Sequence, residues 1–474
     1  MTRLERAWLW VLGAFLLVAL AFRISVTPTR FLDVDELEHL NAAYAVAHGE
    51  SLYGSLFENH PPLLYWSLQP LARSGLGAEP LIRAARWAML APCLGILLIT
   101  ALVTRRLAGV TGALLAPLLL LTSAYFFEKG VEVRPDVPGA FFLLLGIWLL
   151  ARRGRVAWSA AGVAFGLALF FTPKALFAAV GALFGRLLSD RARDSKSFAA
   201  AAPIVWTLLG GAIVSSMILA VLASTGALRG FWHDCIGTSA HMTIDDPWGT
   251  RWGLLGGAIL KANPVTWVLG AIGVGQLLRS REVLPECPPR TMIPCSLLAA
   301  LAGFFLMNAP LRQYFLFVLP ALAITAAWAS HRVVLAIGAS FRGVAFRVAL
   351  PLALLVPPCV ALLPVQRQGV EVEVLRTVLR ATRPEDRVLD LWSGLYLTRL
   401  PAYRYFFLNS DVIRLLPPGK LESELLGVLD DPRVRAVIVD DHFRLLPASV
   451  RQRIRSEFAV DRDFGFLLVM TRRR

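Results

Sequence analysis

Apolar runs long enough to cross a lipid bilayer recur along this chain, and they restrict it to one class of fold. A helix that crosses a hydrocarbon core about 30 Å thick needs about 20 predominantly apolar residues. Of the 474 residues, 56% are hydrophobic and only 17% are charged, so a soluble domain of this composition could not cover its own surface. The sequence therefore predicts an α-helical polytopic membrane protein with about eleven transmembrane helices. The predicted spans lie near residues 7–24, 87–104, 110–127, 137–151, 156–172, 175–189, 199–224, 253–278, 291–307, 313–330 and 346–364.

The distribution of Arg and Lys predicts the orientation of these spans. The formal net charge is +15, but the basic residues lie in short clusters between apolar runs, which is the pattern of cytoplasmic loops. A nucleic-acid partner is therefore not expected. We predict a multi-pass protein of the cytoplasmic (inner) membrane with a cytoplasmic N-terminus. The segments predicted to lie outside the cytoplasm are 25–86, 128–136, 172–174, 225–252, 308–312 and everything after 365.

The composition changes near residue 366, where amphipathic helical patterns begin to alternate with short apolar strands. This alternation is typical of a small α/β domain. We therefore predict two domains. Residues 1–365 form a transmembrane domain whose first outer loop spans about 25–86, and residues 366–474 form an extracytoplasmic α/β domain.

The stretch 31–66 combines six acidic residues and three histidines with a Pro-Pro pair, directly after the first apolar run. Further charged residues lie in the other predicted outer segments, in "EKGVEVRPD", "FTPKALF" and "LRQYF". Ionisable groups at the ends of membrane helices are unfavourable unless they pair or bind a ligand. Carboxylates and cations at one face suit a substrate that carries a phosphate and must lose a proton, because cations bind the phosphate and a carboxylate acts as base or metal ligand.

Each of these residues also has an ordinary structural interpretation. Asp35 and Glu36 could have no role beyond capping the helix that follows them. Asp136 could likewise cap the predicted span that begins at residue 137. Lys174 and Arg312 could extend to lipid headgroups, and His60 could be a polar turn residue.

A second polar cluster lies in residues 229–248, "RGFWHDCIGTSAHMTIDDPW". Its His, Asp and Cys residues could bind a metal, but their spacing matches no familiar site. A flexible loop that covers an active site is the preferred interpretation.

In these residues the chain resembles the GT-C glycosyltransferases of the protein mannosyltransferase and aminoarabinose transferase group, which take a sugar from a polyprenyl-phosphate carrier. The resemblance covers roughly residues 1–330 and implies the GT-C fold. It rests on five segments in order: "DVDE" after the first span, "HGESLYGSLFENHPPLLYW", "EVRPDVPGAFFLLLGIWLL", "FTPKALF" and "LRQYFLFVLPALAI".

The resemblance implies that the sugar moves to an acceptor hydroxyl with inversion at the anomeric carbon. Asp35 would accept the proton of the acceptor, and Asp136 would orient the acceptor or help to hold a divalent cation. His60 departs from the family pattern, because lysine is common at that position in the aminoarabinose enzymes. No cofactor is certain, and a divalent metal ion on Asp35 or Asp136 stays open. The implied catalytic residues are Asp35, Glu36 and Asp136, and the implied phosphate-binding residues are His60, Arg134, Lys174, Arg312 and Tyr314.

The expected partners are a polyprenyl-phosphate-linked sugar donor, a glycolipid, glycan or protein acceptor, and the bilayer itself. Two other functions remain open from the sequence. A secondary transporter would place its charges near the bilayer midplane and often shows repeats, whereas here the charges lie at one face. A non-catalytic scaffold for envelope assembly would explain the C-terminal domain but not the acidic and basic motifs.

Overall fold

A computed structural model describes residues 3–193, 201–242, 246–262, 264–279, 290–337, 369–408 and 410–473. The predicted span at 346–364 lies outside these residues. The described chain is mainly helical, as predicted, and ends in a small mixed sheet. Its α-helices are α1 Arg3–Val26, α2 Val34–Ala47, α3 Leu63–Ala72, α4 Ala78–Leu121, α5 Ala124–Lys129, α6 Asp136–Leu150, α7 Arg155–Phe171, α8 Ala175–Arg193, α9 Ala202–Ser224, α10 Leu228–Gly230, α11 Thr238–His241, α12 Pro247–Ala262, α13 Pro264–Arg279, α14 Met292–Leu306, α15 Phe315–Ile337, α16 Val370–Ala381, α17 Ser410–Leu415, α18 Lys420–Asp430 and α19 Ala448–Glu457.

The chain forms two compact units, and each of them is assembled from separate stretches of sequence. Unit 1 contains Met1–Thr27, Trp87–Ile218 and Asp245–Val365, and unit 2 contains Pro28–Arg86, Leu219–Ile244 and Gln366–Arg474. The predicted C-terminal domain therefore shares a unit with the predicted first outer loop.

Unit 1 carries most of the apolar helices. Within the described residues, four helices are long and apolar enough to cross a membrane, or five if a sharply bent pair is counted as one span. Three shorter apolar helices, α6, α7 and α14, accompany them. These helices support the prediction of a multi-pass membrane protein.

Two breaks in the apolar helices bear on the predicted spans. Non-helical backbone at Ala108 and Gly109, where Gly109 has φ +62°, interrupts α4 between the predicted spans near 87–104 and 110–127, in agreement with a break at this place. The region near 253–278 consists of two helices, α12 and α13, whose axes differ by 98°. The sequence predicted one span over this region and did not predict the bend.

Small residues allow close helix packing in unit 1. A side chain at Gly162 of α7 would collide with the backbone of Thr207 in α9, and one at Gly181 of α8 would collide with the backbone of Cys295 in α14. Since lipid-embedded helices gain little from hydrophobic exclusion, such close backbone approach supplies much of their packing energy.

Unit 2 contains the sheet, whose strands are β1 Arg387–Leu389, β2 Leu400–Pro401, β3 Val434–Val439, β4 Phe458–Asp463 and β5 Leu468–Arg472. The strand order is β2-β1-β3-β5-β4. Strand β1 pairs in parallel with β2 and β3, whereas β5 pairs antiparallel with β3 and β4. The small C-terminal α/β domain predicted from the sequence is therefore present.

Contacts inside unit 2 join its three stretches of chain. Asn41 Nδ2 of α2 donates to the Gly394 carbonyl at 2.8 Å, and Phe57 packs in one apolar core with Leu389 and Tyr405. A π-helix, Phe231–Gly237, places Phe231 against Tyr53 with ring centroids 5.6 Å apart. Segments 28–86 and 219–244 thus complete the core of the C-terminal region.

Candidate functional site

The charged segment after α5 forms the first of two polar clusters, and it lies in unit 1. Glu128, Lys129 and Glu132 lie on α5 and the turn that follows it, and Glu132 is fully buried. Lys129 Nζ lies 3.1 Å from Glu132 Oε1, and Arg134 Nε lies 2.8 Å from Glu132 Oε2. Buried charges of both signs are therefore brought together at this turn, as the predicted pairing of charges at a helix end requires.

Asp136 is the first residue of α6 and is buried. Its Oδ1 lies 2.8 Å from Nζ of Lys174, which follows α7. The Lys174 ammonium group also lies 5.2 Å from the ring centroid of Tyr314. The structure thus brings together three predicted site residues, Asp136, Lys174 and Tyr314, which are separated in the sequence by up to 178 positions (314 minus 136).

Arg312 is the most exposed cation of this group, with half of its side chain accessible. Its Nη1 lies 3.3 Å from Glu128 Oε1, and its guanidinium group lies 5.9 Å from the centroid of the Tyr125 ring. We call the whole group the Lys174 cluster. It contains four cations and three carboxylates, and consists of Glu128, Lys129, Glu132, Arg134, Asp136, Lys174, Arg312 and Tyr314.

Unit 2 holds the residues predicted from the first outer loop. Asp33, not Asp35, is the N-cap of α2, since its side chain accepts a hydrogen bond from the Asp35 backbone N–H. Asp35 lies in the first turn, half-buried. Capping was the structural alternative considered for Asp35 and Glu36, and in the structure Asp33 has that role.

Glu36 is fully buried and forms a bidentate ion pair with Arg86. The two N···O distances are 2.9 and 2.5 Å. Arg86 also donates to the carbonyls of Arg30 and Phe31, so it ties the start of α2 to the start of α4. Sequence reasoning missed Arg86, although an arginine among apolar residues at helical spacing was a usable signal.

The second polar cluster centres on His60. One ligand atom each from His39, Glu58 and His60 lie within 4.8 Å of one another. Glu58 Oε1 accepts hydrogen bonds from the His60 backbone N–H at 3.1 Å and contacts His60 Nδ1 at 2.8 Å. His39 Nδ1 is 3.0 Å from the Tyr65 hydroxyl. We call His39, Glu58, His60 and Tyr65 the His60 cluster.

Buried negative charge dominates the surroundings of the His60 cluster. Burial, with the charges of Glu58 and Glu38, raises the pKa of Tyr65 well above its usual value. Burial and the charges of Glu58 and Asp234 likewise raise the pKa of the Cys235 thiol. Cys235 is thus a protonated packing residue at neutral pH rather than a thiolate.

The segment 229–248 forms helical structure over its described residues, where a flexible loop was expected. Its Asp234 is buried and lies 2.5 Å from Arg404 Nη2, and Ser239 donates to the Asn59 carbonyl. Residues 243–245 lie outside the described part of the chain. Among the residues that are described, the group with metal-ligand geometry contains none of this segment and neither Asp35 nor Asp136. A metal on Asp35 or Asp136 stays a prediction.

Comparison with known proteins supports the resemblance inferred from the sequence. Residues 59–222 match the family model of dolichyl-phosphate-mannose-protein mannosyltransferases. No curated protein matches the chain. The fold is similar to that of ArnT from Cupriavidus metallidurans bound to undecaprenyl phosphate, with a TM-score of 0.64, 13% identity and 97% of both chains covered.

Archaeal structures share the same fold. AglB oligosaccharyltransferase from Archaeoglobus fulgidus, in complex with an inhibitory peptide and a dolichol-phosphate, matches with a TM-score of 0.58 and 13% identity over 94% of this chain and 70% of that one. The Archaeoglobus fulgidus oligosaccharyltransferase in complex with Zn and sulfate matches with a TM-score of 0.57 and 12% identity over 94% and 71% of the two chains. The predicted GT-C fold is therefore confirmed.

Proposed function

We propose that the protein is a membrane glycosyltransferase that moves a monosaccharide from a polyprenyl-phosphate carrier to an acceptor hydroxyl, with inversion. One observation carries this proposal: the fold matches, along nearly the whole of both chains, an ArnT structure that contains undecaprenyl phosphate. The family match over residues 59–222 points to the same class of donor. The reaction takes place at the outer face of the cytoplasmic membrane, with the N-terminus in the cytoplasm.

The Lys174 cluster binds the donor phosphate in this proposal. Its four cations exceed its three carboxylates, so the cluster keeps a positive surplus for an anionic ligand. The half-exposed Arg312 offers the most accessible guanidinium group, which suits the planar geometry of a phosphate. Lys174, Arg134 and Arg312 then stabilise the negative charge that grows on the phosphate as the glycosidic bond breaks.

Asp35 is the base that removes the acceptor proton. It is half-buried in the first turn of α2, and the N-cap of that helix is Asp33. Glu36 is held by Arg86, and we assign it the role of fixing the start of α2 rather than reacting. Asp136 positions Lys174 through their ion pair, and His60 contributes to phosphate binding.

The test compares Asp35→Asn with Asp33→Asn in purified protein supplied with a radiolabelled polyprenyl-phosphate sugar. A positioned general base contributes about 10²–10⁴ to the rate, so we expect Asp35→Asn to lower transfer by at least about 100-fold. Asp33→Asn should keep most of the activity, because Asn is also a favoured N-cap.

Equal activity in both variants would contradict the role of Asp35, and uptake of solute into vesicles without sugar transfer would favour a transporter. Mass spectrometry of lipid-linked sugars and envelope glycans in a deletion strain would identify the sugar, whether hexose or pentose. The same experiment would show whether the acceptor is a glycolipid, a glycan or a protein.

A further inference from the structure

The helix that carries Asp35, α2, contacts a loop of the C-terminal region. This loop comprises residues 390–394, directly after β1, and we call it the 390–394 loop. Asn41 Nδ2 on α2 donates a hydrogen bond to the Gly394 carbonyl at 2.8 Å. Since Asn41 is buried, this bond is made away from competing water and fixes the place where the helix and the loop meet.

Gly394 brings the backbone of the 390–394 loop very close to α2. A Cβ atom added at Gly394 would lie 2.6 Å from the Cβ of Leu37, well inside the ordinary separation of about 3.5–4.0 Å between carbon atoms. Gly394 also has φ +69°, which residues with a side chain rarely adopt. Two independent features therefore require glycine at this position, and the contact leaves α2 no space to move toward the loop.

The carboxyl group of Asp390 fixes the shape of the 390–394 loop. It is buried and accepts hydrogen bonds from the backbone N–H groups of Trp392, Ser393 and Gly394. Asp390 directly follows β1, which lies between β2 and β3 in the parallel part of the sheet. The loop is therefore attached to the middle of the sheet, and the position of Gly394 follows from that of the sheet.

The contact with the loop lies close to Asp35 along the same helix. Leu37 follows Asp35 by two positions (37 minus 35), which is about 3 Å along the helix axis at a rise of about 1.5 Å per residue. Between them, Glu36 is held by its bidentate ion pair with the fully buried Arg86. The first turn of α2 is thus fixed by Arg86 and by the 390–394 loop, so a displacement at Leu37 moves the Asp35 carboxylate as well.

A general base is sensitive to displacements of this size. It must lie about 2.6–3.2 Å from the atom whose proton it removes, and a misplacement of about 1 Å can lower the rate about 100-fold. Relief of a 2.6 Å contact at Gly394 to an ordinary separation requires a shift of about 1 Å. The contact between the loop and α2 is therefore tight enough to control the rate of proton removal.

We propose that the 390–394 loop is a positioning element of the transfer reaction, in which Gly394 and Asn41 hold α2 so that the Asp35 carboxylate reaches the acceptor hydroxyl. The C-terminal α/β region thereby acts in catalysis through Asp35. This inference rests on the proposed function, because it takes Asp35 as the base. Gly394 and Asn41 are positioning residues, since they act on the reaction through the helix that carries Asp35.

The test compares Gly394→Ala with Gly419→Ala in purified full-length protein. Gly419 has a similar φ of +76°, but an added Cβ would meet nothing within 4 Å among the described residues, so this control adds the backbone strain without the contact. Transfer is measured with saturating radiolabelled polyprenyl-phosphate sugar, and an envelope extract of the deletion strain supplies the acceptor. We expect Gly394→Ala to lower kcat about 10- to 100-fold and Gly419→Ala to keep most of it.

Two further variants separate the contact from strain and from unfolding. Gly394→Asn accepts a positive φ more readily than alanine does but carries the same Cβ, so the loss of kcat should persist. Asn41→Ala removes the hydrogen bond without adding an atom, and its kcat should lie between those of wild type and Gly394→Ala. The amount of undecaprenyl phosphate bound per chain should equal that of wild type in all of them, because partial unfolding would lower it and a displaced base would not.

A double variant shows whether Gly394 acts through Asp35. Residues that act as a unit in catalysis have strongly non-additive effects. Asp35→Asn/Gly394→Ala should therefore be no slower than Asp35→Asn alone, since a displaced helix costs nothing further once the base is gone. The pH profile gives a second readout: Gly394→Ala should keep the fall in rate at acidic pH that protonation of Asp35 causes, whereas Asp35→Asn should lose it.

Equal kcat values for Gly394→Ala and Gly419→Ala would overturn this inference, and so would losses that multiply in the double variant. Failure of the proposed function would look different: the wild type would transfer no sugar, or Asp35→Asn would transfer it at the wild-type rate.

Discussion

Lys174 pairs with Asp136, and the proposed function gives it a second role in binding the donor phosphate. The carboxylate of Asp136 lies 2.8 Å from its Nζ, and the side chains of Lys174 and Asp136 are only 11% and 2% exposed. A pair this well buried can have a purely structural role, since removing one member leaves an uncompensated buried charge. The proposed phosphate site requires more, namely that the positive charge itself contacts the donor.

Two variants separate these roles. Lys174→Met should destabilise the protein by about 3–5 kcal/mol, because it strands the buried Asp136 carboxylate. The double variant Asp136→Asn/Lys174→Met should recover most of that stability, since an amide needs no counter-charge. If Lys174 binds phosphate, the double variant should still bind undecaprenyl phosphate poorly.

The measurements for this pair are thermal unfolding in detergent and affinity for undecaprenyl phosphate. Recovery of affinity together with stability in the double variant would assign Lys174 a purely structural role. Arg152→Met provides a control, since Arg152 lies over the ring of Trp148 and belongs to neither polar cluster.

Some of the contacts between single residues could be predicted from the sequence, and others could not. The charges of "EKGVEVRPD" and "FTPKALF" were expected at one membrane face, and Asp136 and Lys174 do meet. The choice between Asp33 and Asp35 as helix cap could not be made, because both precede the same apolar pattern. The His60 cluster was not foreseen, since it depends on a turn whose course is set by the positive φ of Tyr53, a conformation that no local propensity favours.

At the scale of elements, the segment between β1 and β2 contains a buried carboxyl group. Asp390 accepts hydrogen bonds from the backbone N–H groups of Ser393 and Gly394 and from the Ser393 hydroxyl. Burial, assisted by the charge of Asp440, raises the pKa of Asp390 from 3.8 to about 7. The carboxyl therefore keeps its proton in the folded state at pH values where the unfolded chain has lost it.

This pKa shift gives the C-terminal sheet a pH dependence of defined sign. Because the folded-state pKa is raised, the group contributes stability below the unfolded value of 3.8 and loses that contribution as the pH rises to about 7. At about 1.4 kcal/mol per pKa unit, the loss is at most about 4 kcal/mol. The difference in unfolding free energy between wild type and Asp390→Asn should therefore fall between pH 4 and pH 7 and stay flat above.

Thermal unfolding of both proteins across this pH range measures the difference, in which contributions of other groups largely cancel. The same comparison can be made in protein that carries Asp440→Asn. Because the Asp440 charge helps to raise the pKa of Asp390, the fall in the free-energy difference should then end at a lower pH. A difference that does not vary with pH would show that the Asp390 carboxyl titrates alike in the folded and unfolded states.

Helices and strands of this region were predictable to different degrees. The amphipathic patterns correctly predicted α16, α18 and α19, each followed by a strand. Strand β2 has only two residues, too few for an alternating pattern. The bend between α12 and α13 also could not be predicted from the sequence, because a continuous apolar run is compatible with one helix or with two.

At the scale of the whole molecule, the C-terminal region is a structural part of unit 2 rather than an appendage. Arg387 Nη2 lies 2.7 Å from Glu50 Oε1, and the backbone N–H of Phe57 donates to the Arg404 carbonyl. Tertiary contacts of this kind join residues more than 300 positions apart (387 minus 50), so the sequence pattern alone could only treat segment 28–86 and residues 366–474 as separate regions.

Deletion of residues 366–474 should therefore disturb segment 28–86, including the turn that carries Glu58 and His60. Hydrogen exchange of the full-length protein and the truncated protein in detergent measures this effect. We expect faster exchange of backbone amides in segment 28–86, because Phe57 and Asn41 lose their partners Tyr405 and Gly394. Helices of unit 1 such as α6 and α7 should keep their protection, since they pack within their own unit.

The point variant Arg387→Gln tests the same idea without removing any chain. It breaks the ion pair with Glu50 and should accelerate exchange locally around Glu50, whereas Arg444→Gln, which breaks an exposed pair with Asp441, should leave segment 28–86 unchanged. Loss of protection in unit 1 as well as unit 2 would mean that the deletion unfolds the whole protein. A truncated protein with unchanged exchange in segment 28–86 and undiminished sugar transfer would show that residues 366–474 are dispensable for both, and that the core of unit 2 does not need them.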